Sequence, residues 1–82
     1  MSEYTSPFAA GPGVMTEEAG VLTGDLELRT VSAPGGAVTA KVRYAGTTEW
    51  YRLRGGQCKL VHDGDHRAVH SILVGVLNRP IG

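Results

Sequence analysis

"VTAKVRYAGTTEWYRLRGG", residues 38–56, decides the fold. Val38, Ala40, Val42 and Tyr44 alternate with Thr39, Lys41 and Arg43. That period of two marks a half-buried strand, because successive side chains leave a pleated backbone on opposite faces. Gly46, Thr47 and Thr48 supply a short reversal, and the chain returns with Tyr51 and Leu53 in the apolar set and Trp50, Arg52 and Arg54 in the polar one. The glycines at 55 and 56 end the strand in this reading. Two strands joined by so short a reversal pair antiparallel, so their apolar members share a core face. Trp50, Arg52, Arg54, Lys41 and Arg43 then share the opposite, open face.

Upstream, "DLELRTV" at 25–31 repeats the alternation, with Leu26 and Leu28 inward and Glu27 and Arg29 outward, and "SAPGGA" breaks it. This predicts a third strand and adds Arg29 to the open face. Residues 1–20 are rich in Gly, Pro, Ser, Thr and Glu, and "GPG" at 11–13 interrupts any regular pattern. They are expected to form a flexible acidic tail, with 21–82 as a single α+β domain; Met15, just after the break, is a candidate natural start.

Downstream, "CKLV" at 58–61 predicts a short fourth strand, and "HDGD" supplies a turn with Asp63 or Asp65 as helix N-cap. "HRAVHSILVGVLN" then places Val69, Ile72, Leu73, Val76 and Leu77 at helical spacing, and Asn78 and Pro80 stop the helix. The whole predicts a small two-layer α+β domain: an antiparallel sheet of three to four strands with one C-terminal helix packed on one face.

At 82 residues the chain makes one small domain with a thin core, which a second subunit could help to bury. It is 41% hydrophobic and 20% charged, an ordinary globular composition. The formal net charge is zero, which excludes a global field drawing it to nucleic acid or to an anionic membrane. Cys58 is the one cysteine and has no internal disulfide partner. The first residues show neither the basic nor the apolar region of a secretory signal, and no apolar run approaches the length of a membrane span, so the expected location is cytoplasmic.

Net zero hides a segregation of charge. Residues 1–28 carry Glu3, Glu17, Glu18, Asp25 and Glu27 and no Lys or Arg, whereas 29–60 carry Arg29, Lys41, Arg43, Arg52, Arg54 and Lys59 against Glu49 alone. A basic sheet face with Trp50 as its apolar anchor is therefore the candidate binding surface: Arg43, Arg52 and Arg54 as anion or hydrogen-bond donors, Lys41 and Arg29 as the flank. A protein partner or a second copy of the chain is the preferred class, since Trp, Tyr and Arg dominate interface hot spots. Nucleic acid is the alternative, through arginine on phosphate or guanine and tryptophan on a base. In outline the arrangement is similar to three-stranded-sheet DNA readers such as the plant ethylene-response-factor domain and the arm-binding domains of some integrases, with none of their motifs matched. The plainest account is a solvated polar face, which antiparallel sheets routinely present. The acidic tail could also fold back over the basic face.

Cys58, His62, His66 and His70 recur every four residues, with Asp63 and Asp65 among them. His66 and His70, one helical turn apart, could share a metal, but the paired short spacings of a zinc site and the full ligand set of a calcium loop are both missing. Ordinary helix-flank histidines and a buried Cys58 are the expectation, with no metal or cofactor. The glycine pairs do not run from a strand into a helix as a phosphate loop must, and no catalytic triad or carboxylate pair emerges. The chain reads as a non-enzymatic binding module with no small-molecule substrate.

Overall fold

The structure, a computed structural model, describes residues 2–80. Four antiparallel strands, β1 (Ser2–Thr16), β2 (Gly20–Ser32), β3 (Ala37–Tyr44) and β4 (Tyr51–Lys59), precede a short 3₁₀ turn (Asp63–Asp65) and one helix, α1 (His66–Leu77). The predicted antiparallel sheet with one C-terminal helix is observed. Each strand pairs with the next in sequence, and β4 returns to β1, so the sheet closes into a small barrel.

Residues 1–20, expected as a tail, are the largest correction. Ser2–Thr16 is the longest strand, paired with β2 along its length, and it buries Phe8, Ala10 and Val14. The "GPG" that looked like a break is a bulge between Ala10 and Val14. Gly13 sits there at φ +96°, where a Cβ would strike Val21 Cγ1, so the position needs glycine on both counts. Pro7 is tolerated because the amides of alternate residues, such as Ala9, point to the edge away from β2. The folded unit therefore includes Ser2–Thr16.

The alternation in β2 and β3 holds. Leu22, Leu26 and Leu28 from β2 and Val38, Ala40 and Val42 from β3 are buried, and Tyr51 and Leu53 of β4 pack against them half-buried. Tyr44, expected to continue the inner row, is exposed where β3 leaves the core. Gly55 and Gly56 do not end β4: the strand runs through them to Lys59, which absorbs the short strand expected at 58–61. Thr39 faces Gln57 and Lys41 faces Arg52, so residues 53–56 stand opposite Ala40 alone, a wide bulge. Gly55 supplies the positive φ (+75°) for the bend, and Gly56 lies so close to Ala40 that a side chain would press on its Cβ.

Closure is local. Thr16 pairs with Leu53, the Glu17 amide donates to the Arg52 carbonyl at 2.9 Å, and α1 packs on β1 and β2. After the helix, Arg79 donates to the Ala9 carbonyl at 2.7 Å and accepts from the Gly11 amide at 2.8 Å, covering part of the free edge of β1. The sheet thus has an inside shared by the core and the helix, and an outside open to solvent. No helix among the described residues is long and apolar enough to cross a membrane.

Candidate functional site

The outer face of β2, β3 and β4 gathers most of the predicted surface. Register places Arg29 opposite Lys41 and Lys41 opposite Arg52, a row of three cations running straight across three strands. Like charges directly opposite one another on a sheet destabilise it, so this row calls for compensation. Two of the three receive it. Arg29 donates to Glu3 at 2.7 Å, and Arg52 donates through Nε and its backbone amide to Glu18, both at 2.8 Å. The hydrogen bond from the Arg52 side chain holds the Glu18 carboxyl below the usual carboxylate range. Among the described residues Lys41, in the middle of the row, enters no ion pair.

Trp50 stands just before β4, where the register continues opposite Arg43. The Arg43 guanidinium lies 4.4 Å from the centre of its ring and that of Arg29 lies 5.6 Å away, so the half-buried indole is flanked by two cations. Arg43 is itself held by Glu27 at 2.8 Å. Arg29, Lys41 and Arg52, with Thr39 and Gln57, line a shallow depression of about 470 Å³. Arg29, Arg43, Lys41, Arg52 and Trp50 are therefore brought together as expected. Arg54 is not: it falls in the β4 bulge, exposed and outside the depression.

The expected electrostatic fold-back also takes a definite form. Glu3 belongs to β1 and Glu18 to the β1–β2 turn, and each covers an arginine of the basic face. They do so as parts of the barrel, not as a loose tail.

Sequence reasoning passed over a second constellation, on the inside. His66 and His70 are 1% and 6% exposed and form the buried side of α1. Ser2 Oγ is hydrogen-bonded to His66 Nδ1; His66 Nε2 meets Thr30 Oγ1 at 2.9 Å; Thr30 Oγ1 meets His70 Nδ1 at 2.7 Å; and His70 Nε2 meets Ser6 Oγ at 2.8 Å. Ser32 extends the chain through Ser2 at 3.2 Å. The Tyr4 ring packs edge-on to His66, 4.7 Å between centres. With both rings neutral the chain runs in one direction or the other with every link satisfied, the Thr30 hydroxyl donating to one histidine and accepting from the other. A further proton would turn both nitrogens of a ring into donors and strand a charge with no carboxylate hydrogen-bonded to it.

Burial pushes His66 below its ordinary value, and burial followed by the neighbouring His66 does the same to His70. Every ring nitrogen of the pair is engaged by a hydroxyl, so the pair is not arranged as a metal site. No three of the described His, Cys, Asp and Glu residues come together in a metal-holding group. The signal for this network was present in the sequence, since Ser2, Tyr4 and Ser6 alternate with Glu3, Thr5 and Pro7. It was masked because the inward residues are polar.

Cys58, expected to be buried, is exposed. It lines a small apolar groove of about 180 Å³ between β4 and α1, with Val38, Gly55, Gly56, Val69 and Leu73 among its walls. Compared with known proteins, the chain matches no protein family, no curated protein and no solved structure.

Proposed function

We propose that the chain is a non-catalytic binding module whose outer face takes an acidic segment of another protein. The observation that carries this reading is the cation row with its uncompensated centre. Arg29, Lys41 and Arg52 lie opposite one another at a cost to the sheet, Glu3 and Glu18 offset the two ends, and Lys41 is left to an incoming anion. Beside it, Trp50 under Arg43 offers an apolar anchor whose orientation is held by its neighbours. The preferred ligand is a carboxylate-bearing peptide with an aromatic or aliphatic residue next to the acid.

Self-association through this face is disfavoured, because two copies meeting there would set cation row against cation row. The alternative is a single-stranded nucleic acid, with phosphate on the row and a base on Trp50. The glutamates that already occupy Arg29, Arg43 and Arg52 favour the protein reading, since they reduce the positive field that nucleic acid requires. An exposed free thiol at Cys58 suits a reducing compartment, and we place the module in the cytoplasm.

Trp50 is the one tryptophan of the chain, so its fluorescence reports the site directly. Titration with an acidic peptide containing phenylalanine should shift Trp50 emission, and Lys41→Glu should weaken the response by about tenfold, equivalent to roughly 1.4 kcal/mol. A neutral scrambled peptide should give no response. If mixed-sequence single-stranded DNA instead shifts the emission more strongly, with a steep salt dependence, the nucleic-acid reading replaces this one. If neither ligand moves it, the face is only solvated.

A further inference from the structure

The helix carries a second surface that the outer face leaves unexplained. Its buried side is His66, His70, Leu73 and Leu77, yet Ile72 is 66% exposed and Val76 55% exposed. At 3.6 residues per turn, Val69, Ile72 and Val76 form one stripe flanking the buried side. The stripe runs into the apolar groove that Val69 and Leu73 share with Val38 and Cys58. The sequence placed Ile72 and Val76 in the core; the histidines occupy that side instead and turn them outward.

The stripe has charged ends of opposite sign. Asp65 is the N-cap of α1, and Arg79, two residues beyond its last turn, folds its side chain back so that Nε donates to the Val76 carbonyl at 3.2 Å. Neither Asp65 nor Arg79 enters an ion pair among the described residues. The Asp65 side chain makes no cap hydrogen bond either. Opposite charges at the two ends of one helix are what an antiparallel, isologous contact can pair. Two such helices laid antiparallel put Ile72 on its own copy, Val69 near Val76 of the other copy, and Asp65 against Arg79 at both ends. A parallel pair would set acid against acid and base against base. The antiparallel pair also opposes the helix dipoles.

We infer that α1 is the seam of a homodimer, two copies packing their helices antiparallel about a two-fold axis at Ile72. A twelve-residue helix spans only about 18 Å. The seam is therefore small beside the roughly 800 Å² per partner of a standard interface, and the dimer is concentration-dependent rather than obligate. The seam leaves the Trp50 face out of the contact, so each dimer presents two of them, and the inference stands independently of what that face binds.

Sedimentation of the full chain at micromolar to millimolar concentrations should show mass rising from 8.7 kDa toward twice that value. Ile72→Lys, at a site already exposed, should keep the circular dichroism spectrum and hold the chain monomeric, whereas Trp50→Ala should leave the dimer intact. Asp65→Arg should weaken association, and adding Arg79→Asp should restore it. In a Cys58→Ser background, Ile72→Cys should self-crosslink under mild oxidation about tenfold faster than Val69→Cys, because only residue 72 meets its own copy within disulfide reach. A monomer at every concentration, a dimer indifferent to Ile72→Lys, failed rescue by the double swap, or equal crosslinking at 69 and 72 would each overturn the inference.

Discussion

Leu28 and Thr30 lie two residues apart on the same face of β2, and both are 0% exposed. Leu28 belongs to the apolar half of the barrel, with Phe8, Leu26 and Val42 around it. Thr30 belongs to the half under α1, where the hydroxyls of Ser2, Ser6 and Ser32 and two histidines form a hydrogen-bonded chain. One strand therefore crosses from a region held by the hydrophobic effect to one held by polar complementarity. The first is non-directional and insensitive to pH. The second is satisfied as a unit: losing one hydroxyl leaves a buried ring nitrogen without a partner, and gaining one proton leaves a buried charge without a counter-ion.

Removing the strand common to both halves should have the largest effect. A chain starting at Met15 lacks Phe8, Ala10 and Val14 from the apolar half and Ser2 and Ser6 from the polar half, and should show no cooperative unfolding transition by circular dichroism. A folded product of that deletion would show that neither half of the barrel depends on β1. Within the intact chain, Leu28→Ala should lower the unfolding free energy by about 3 kcal/mol or more, measured by urea titration, because it removes fully buried methyl groups and leaves a cavity.

Thr30→Val tests the other half. It keeps the shape of the side chain but takes the central hydroxyl from both histidines, and should cost about 2 kcal/mol, the desolvation penalty of buried groups left without partners. In an apolar half the same change would be close to neutral, so a neutral outcome would show that the hydroxyl chain contributes nothing.

The pH dependence sharpens the contrast further. His66 and His70 are held below the ordinary value of 6.5, so between that value and their lowered folded values the unfolded chain binds more protons than the folded one. Stability is thus fully present above pH 6.5 and is lost as pH falls from there through the folded values. The slope is at most about 1.4 kcal/mol per pH unit for each histidine. Urea midpoints should be lower at pH 5.5 than at 7.5, a range in which ordinary carboxylates stay ionised. Replacing His66 and His70 by glutamine, which carries no titrating proton, should flatten that difference even if it lowers stability overall. On the outer face, Glu3→Gln removes a solvent-exposed partner of Arg29 and should cost only about 0.5 kcal/mol, the smallest change of the series.

Much of the apolar half was legible in the sequence. Leu26, Leu28, Val38, Ala40 and Val42 lie on strands with one wet face and one dry face, and hydrophobic alternation records that division directly. The basic face was legible for the same reason, since Arg29, Lys41, Arg43 and Arg52 are the other parity of the same strands. The polar half was not. Its inward residues are Ser, Thr, Tyr and His, so β1 reads as a tail and the buried side of α1 reads as its exposed side. Period alone has no way to distinguish a hydroxyl facing water from one facing a buried imidazole.

By itself, then, the sequence determined an antiparallel sheet ending in a helix, its apolar rows and the side on which its cations lie, because these follow from local alternation and helical spacing. Tertiary structure alone decided that the first strand closes a barrel, that glutamates from β1 and its turn cover Arg29 and Arg52, and that histidines occupy the helix core while Ile72 and Val76 face outward. Those outcomes rest on pairings between residues far apart in the chain, from 26 positions for Glu3 with Arg29 to 40 for Thr30 with His70. Nothing in a local window carries the geometry that brings such partners within hydrogen-bond reach.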